Sequence, residues 1–561
     1  MIHNLLVFFI SLFSRSIFGS MNKSKKRSQY NYSSNEGMNN ICKLSINLLK
    51  KNTLASNYTK YKQYVKSLIR KFKTSSSTLP ILNSIFNIKN KTHFTTIFKE
   101  QPLDKYNKIP PFIEIFKFLI TKQEFINKFS TEEIKQLQLF LSTIDSSTNK
   151  DTNKDKDIYK FLSKSKLGDK LSSNYYYLND TIKNELAILY PSVLFHSLLI
   201  NSYTSFEIIQ DLEANIKKLY TFSIVWKGKK IDNLLYLYMY NNKKSENNIK
   251  KIGTEIIKRI LFFNEFLQTD KLPSKFIVFL TDNKKEIDED VINKMHFKTL
   301  NINTAVTNGL DIIIYRQEEL LKSIFHELIH FHNLDFRTTP SKLISYLMKT
   351  HNIKPENKYT LFESVTESLA NILNNIFQSK DIKQFESNLE SEIMFSTIQI
   401  AKILSICGYK KWKEFAKVDI GSDSGTIHNH NHNKHNPYKQ FTQDSCVFSY
   451  YILKFYIMLS LDIYFKNCLD TKLKFIQTEH SFNKLIELFD SSRHNKYLEN
   501  IINNILDNKN NKFYNNKINN NNIQTKIQTK IQTKKHSKIA KRNITIKTLR
   551  MTCLENDVFA E

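Results

Sequence analysis

Cysteine is scarce in this chain. Five are spread over 561 residues (Cys42, Cys407, Cys446, Cys468 and Cys553), and no two form a C-x-x-C pair. That argues against a disulfide framework and against a cysteine-built zinc site, and it suits a reducing, intracellular setting. Long apolar runs are missing as well. The nearest, Tyr450 to Phe465, carries Lys454 and Asp462 and reads as a buried helix, so no transmembrane segment is expected. Acids are almost absent from the two ends. Residues 1–99 carry seventeen Lys or Arg against Glu36 alone, and 508–550 carry twelve basic residues and no acid. With only nine Gly and nine Pro, the bias runs instead to Asn, Lys, Ile, Phe and Tyr, residues with A/T-rich codons, so base composition accounts for much of the +30 net charge. What is present excludes a wholly disordered protein, with 41% hydrophobic residues and 12% aromatics.

The pattern divides the chain into four parts. Residues 1–98 are basic and polar, with short amphipathic pieces, and are expected to be poorly ordered. The apolar stretch 5–13 resembles a signal-peptide core, but no basic residue precedes it and Arg15 interrupts its flank; Met21 offers an alternative start, and secretion is not the expectation. Residues 99–215 read as helical, broken by a hydrophilic linker at 145–157. Residues 216–505 change texture. A hairpin at 221–240 is followed by a helix at 245–268 that opens on Ser245 and repeats Ile249, Ile252, Ile256, Ile260, Phe263 and Leu267 at three- and four-residue steps. Strands at 275–282, 301–307 and 310–316 then lead into helices at 317–332 and 358–377. Residues 506–561 form a basic low-complexity tail that includes three copies of Ile-Gln-Thr-Lys. A loop at 421–438 alternates His428, His430 and His432 with Asn and reads as a slippage product able to pick up metal adventitiously.

The chemistry concentrates at His326-Glu327-Leu328-Ile329-His330, which matches H-E-x-x-H. Residues four apart share a helix face, so both imidazoles can reach one Zn²⁺ ion. Glu327 lies about 100° round the axis from His326, placed to take a proton from water that the metal activates. His332 is about 200° from His330 and faces away, while Asp335 reads as a cap or as a partner of a ligand. A catalytic zinc takes three protein ligands. Asn333 and Phe336 stand where a metzincin needs Gly and His, which excludes that class. The candidate acids lie at Glu363 and Glu367.

The sequence from Glu363 through Thr366 to Glu367 resembles the E-x-x-[ST]-[DE] element of gluzincin metallopeptidases. That resemblance implies Glu363 as the third ligand and Glu367 as the carboxylate orienting a ligand histidine, a role that ligand chemistry also favours. Glu367 as the ligand stays open, being one turn away. The gap between His330 and Glu363 exceeds that of thermolysin and is comparable to that of clostridial neurotoxin light chains. The stretch Ile312–His330, the Leu334-Asp335-Phe336 that follows and the acid pair before Ser368-Leu369-Ala370-Asn371 also resemble the zinc metallopeptidases inferred in nucleocytoplasmic large DNA viruses. The likeness covers roughly 275–465 and is loose outside the motifs. It implies an α+β zincin-like domain, with a backing helix behind a twisted mixed sheet and an edge strand at 301–307 to pair with an extended substrate, and a host-cell or virion location. Gluzincins place a Tyr or His after the glutamate ligand as oxyanion stabiliser, which makes Tyr450 and Tyr451 candidates.

The expectation is a zinc-dependent hydrolase of protein or peptide substrates. Two rivals stand beside it: an inactive zincin scaffold or virion protein, and a nucleic-acid-binding protein whose basic ends contact phosphate or another anionic surface.

Overall fold

The computed structural model describes residues 45–103, 112–145, 180–189, 206–240, 244–416, 442–507 and 549–554, apart from 52, 282, 288–290, 292–295, 298, 352, 354–358, 444 and 491. The histidine-rich loop, most of the linker, residues 1–44 and most of the C-terminal basic tail lie outside the described residues. The chain is mixed α and β, and its contacts fall into two compact units. One lies within Lys108–Glu213. It is helical, with Ile115, Leu119, Phe125, Phe129, Ile182 and Leu186 buried and an ion pair between Lys122 and Glu185. The other joins Ser34–Asn107 to Ala214–Glu561 and carries all the chemistry discussed below.

Its centre is a six-stranded sheet of β1 (Thr95–Gln101), β2 (Lys218–Trp226), β3 (Lys229–Met239), β4 (Phe276–Leu280), β6 (Ala305–Thr307) and β7 (Ile312–Ile314), in the order β1-β2-β3-β4-β7-β6. A separate pair joins β5 (His296–Phe297) to β8 (Thr442–Gln443). β3, β4 and β7 run parallel, while β1, β2 and β6 pair antiparallel with their neighbours. The β2–β3 turn is tighter than the sequence suggests. Lys227 and Gly228 both take positive φ (49° and 74°), the backbone of a two-residue type I′ turn, so residues expected in a loop begin β3 instead. A bulge in this pair sets Asn233 at φ 50°, its N–H donating to Ser223 Oγ at 3.0 Å.

The helix Glu246–Leu267 backs the sheet as its periodicity predicts, with Ser245 Oγ accepting from the Asn248 N–H and all six repeating apolar residues buried. Gly253 lets it close in: a Cβ there would sit 2.2 Å from the Phe222 ring. β7, buried along its length, feeds the motif helix Leu320–Phe331, which packs on the acid-pair helix Phe362–Phe377. The apolar stretch around Tyr450 is a π-helical segment, Phe448–Leu453, followed by short helices at Lys454–Met458 and Leu461–Cys468. No helix among the described residues is long and apolar enough to cross a membrane.

Two boundaries require correction. A break at 98/99 would cut through β1, and much of what precedes it is ordered. The helix Ala55–Thr74 buries Tyr61, Val65, Ile69 and Phe72 at steps of four, four and three, and Thr78–Lys91 buries Leu82, Ile85 and Phe86. Lysines on the remaining faces hide this stripe in the composition. The tail assigned to 506–561 also returns to the core: Leu549 to Cys553 are each 4% exposed or less.

Candidate metal centre

The two helices bring three side chains to one point. Burial of Leu328, Ile329 and Val365 fixes how the helices face each other, and their polar residues meet across the contact. His326 Nε2 and His330 Nε2 are 3.2 Å apart. Glu363 Oε2 lies 3.2 Å from the first and 3.4 Å from the second. Nitrogen or oxygen ligands about 2.0–2.1 Å from a tetrahedral divalent ion stand about 3.3–3.4 Å from one another, so the triangle has the size such an ion requires. His326, His330 and Glu363 form the one group of this kind found among the described residues, and it could hold a metal ion.

The outer nitrogens explain why the inner ones are available. His326 Nδ1 lies 3.0 Å from Glu367 Oε2, and His330 Nδ1 lies 2.7 Å from Asp335 Oδ2. A carboxylate accepts and does not donate, so in the neutral imidazoles the proton sits on Nδ1 and the Nε2 lone pair faces inward. Glu363 Oε2 is buried and has no hydrogen-bond donor in these tautomers. Three lone-pair atoms then converge with nothing positive between them, and the arrangement calls for a cation or for protons. The titration behaviour agrees. Burial lowers the pKa of both imidazoles, but Glu363, with Glu367 beside His326 and Asp335 beside His330, outweighs it and raises them. Burial raises the Glu363 carboxyl, and the two imidazoles more than reverse that.

Glu327 differs from every polar neighbour. It is 4% exposed, yet no hydrogen bond or ion pair engages it among the described residues. Burial raises its pKa, and Glu363 adds to this against the opposing pull of the two histidines. An uncommitted carboxylate beside the triangle, with a raised pKa, is suited to receiving a proton. Tyr450 stands close by, its ring centroid 5.8 Å from that of His326, in a π-helical turn of a kind that recurs at functional sites. Burial, then Glu363, raises its pKa well above the usual value, so its hydroxyl remains a donor.

Not every sequence candidate comes to this place. Tyr451 is buried, and burial, then Glu319, raises its pKa well above the usual value. His332 stacks on Phe263, centroids 5.6 Å apart, away from the triangle. Glu367 does not share the triangle: both its oxygens accept from Lys322 Nζ, at 2.9 and 2.8 Å, and Oε1 also accepts from Asn371 at 3.0 Å. Burial raises this carboxyl, but Lys322 and the His326 bond hold it below the usual range. Lys322 was missed in the sequence, although the signal was there. It stands four residues before His326 on the face that continues to His330. Asp335 also accepts from Thr366 Oγ1 at 3.3 Å, which joins the motif helix end to the acid pair.

No protein-family model, curated protein or solved structure matches this chain.

Proposed function

We propose that the chain is a zinc-dependent metallopeptidase, with His326, His330 and Glu363 as zinc ligands and Glu327 as general base. The observation that carries this reading is the 3.2–3.4 Å triangle of inward-facing lone pairs beside a buried carboxylate that nothing else engages. The donor set, two imidazoles and one carboxylate, is one that zinc takes in catalytic sites. When bound, zinc lowers the pKa of water to about 7 and polarises a carbonyl.

The chain's own residues do the rest. Glu367 and Asp335 fix the imidazole tautomers and ring planes. Glu327 accepts the proton of the attacking water and passes it to the leaving amine, which a carboxyl with a raised pKa does more readily. Tyr450 offers a hydroxyl donor to the developing oxyanion. β6 is the edge strand of the sheet and lies against the motif helix, so its free side suits an extended peptide pairing as a further strand. The mixed sheet, its backing helix and the two ligand-bearing helices together favour a zincin-like domain.

The test pairs metal analysis with one conservative change. The purified chain is expected to hold about one zinc per molecule. Glu327→Gln should retain that zinc while turnover of a peptide library falls about 10³-fold or more, given that general-base catalysis supplies about 10²–10⁴. Unchanged turnover in Glu327→Gln would sink the mechanism, and a zinc-free native chain would sink the metal reading.

A further inference from the structure

A second buried polar cluster lies behind the motif helix, and the C-terminal residues are part of it. Leu549 N–H donates to Lys285 O at 2.9 Å, bringing the chain in beside β4. The N–H groups of Met551 and Thr552 both donate to Glu319 Oε1, at 2.5 and 2.7 Å. Cys553 N–H and Thr552 Oγ1 donate to Glu392 Oε2, at 3.1 and 2.9 Å. Lys454 Nζ donates to Met551 O at 2.7 Å, and Asn374 Nδ2 to Leu554 O at 3.0 Å. Three successive backbone amides thus donate to two fully buried carboxylates, one at the start of the motif helix and one on the helix Ile382–Ile406.

This segment reaches the metal triangle through one side chain. Lys322 Nζ holds both oxygens of Glu367 and also lies 3.5 Å from Met551 Sδ. Glu367 in turn holds His326 Nδ1. The segment therefore touches the motif helix through Glu319 and Lys322, and the acid-pair helix through Asn374. Those two helices carry all three ligands, whose mutual distances must hold to a few tenths of an ångström for a metal to bind. Without the segment, Glu319 and Glu392 lose two donors each, in a place where an unsatisfied charge is costly. The helices would shift to let water in.

We propose that Leu549–Leu554 is a positioning element of the metal centre, and that its docking sets the metal affinity by holding Lys322, Glu367 and the two ligand-bearing helices in register. This rests on the metal-centre reading above. Coupling of this kind is reciprocal: bound metal must tighten the docking by the same factor.

The experiment compares the full chain with one ending at Thr548, using zinc affinity from chelator competition and the visible spectrum of the Co²⁺ form. The shortened chain is expected to bind zinc roughly 10–100-fold more weakly, the range seen when partners of metal ligands are lost. A synthetic peptide of residues 549–561, added in trans, should restore both affinity and spectrum, and should bind the shortened chain more tightly when zinc is present. A shortened, folded chain with the affinity of the full one overturns the proposal. Should that chain not fold, Met551→Pro in the full chain takes its place, since it removes one N–H to Glu319 and the sulfur beside Lys322. A several-fold loss of zinc affinity with unchanged circular dichroism supports the proposal, and full affinity overturns it. A full-length chain that binds no zinc refutes the metal reading itself, which separates the two failures.

Discussion

The motif helix has two buried polar faces, and they solve the same electrostatic problem differently. At its start, Glu319 meets Lys285 and two backbone amides, and Lys322 meets Glu367, so the charges there are matched within the chain. Two turns on, Glu363 faces only the imidazoles of His326 and His330, and no Lys or Arg pairs with it among the described residues. A buried carboxylate without a partner is too costly to keep, so the first cluster is closed by the protein and the second is left for something to be added. Burial and charge alone do not mark the metal centre, because both clusters have them. The mark is charge that the chain itself leaves unmatched.

The largest effect should come from the open cluster and should appear only in metal binding. Glu363→Gln removes one of the three proposed ligands, and a zinc site of this kind binds with on the order of 10 kcal/mol or more, so zinc affinity should fall roughly 10³-fold. At a pH high enough for both imidazoles to be neutral, the metal-free protein should melt within a few degrees of the parent, since no Lys or Arg among the described residues loses a partner. Chelator competition and metal-free thermal melts measure the two halves. A large drop in metal-free stability would show that Glu363 is structural and would erase the contrast.

Lys322→Met, by contrast, should lower the stability of the metal-free chain as well as its zinc affinity. It strands Glu367 as a buried carboxylate with one cation fewer, which costs about 3–5 kcal/mol when one partner of a buried pair is removed. Urea unfolding of the metal-free chain should show that loss directly. If stability holds and only zinc affinity falls, Lys322 belongs to the metal centre alone and the closed cluster is not a structural unit.

The open cluster was the more legible of the two in the sequence. The i, i+4 histidines and the acid pair are local patterns on helices whose periodicity is plain, and the structure brings His326, His330 and Glu363 together. The backing helix and the parallel strands were legible for the same reason. The closed cluster was not, because its members are single residues far apart: Lys285, Glu319, Glu392, Lys454 and the amides of 551–553. Nothing in the spacing links Glu392 to Thr552, 160 positions apart. Composition misled in the same way at both ends, where the lysines around Tyr61, Val65 and Ile69, and the Asn- and Lys-rich run before Leu549, concealed residues that enter the core.

The smallest effect concerns Lys402, which lies within electrostatic reach of Arg550 in the C-terminal segment. Lys402 is 2% exposed, and burial, then repulsion from Arg550, lowers its pKa from 10.5 to about 7. The sign follows from proton counting. Between pH 7 and 10.5 the unfolded chain keeps the lysine proton that the folded chain has released, so this residue makes stability rise with pH across that window. The slope it contributes is at most about 1.4 kcal/mol per pH unit. Unfolding the metal-free chain in urea at pH 7.5 and 8.5 should show the parent gaining about 1 kcal/mol relative to Lys402→Met, which lacks the titrating group. Equal slopes would mean that Lys402 is charged in the folded chain and that the closed cluster supplies more negative potential beside it than its carboxylates, paired with Lys285 and Lys322, leave to spare.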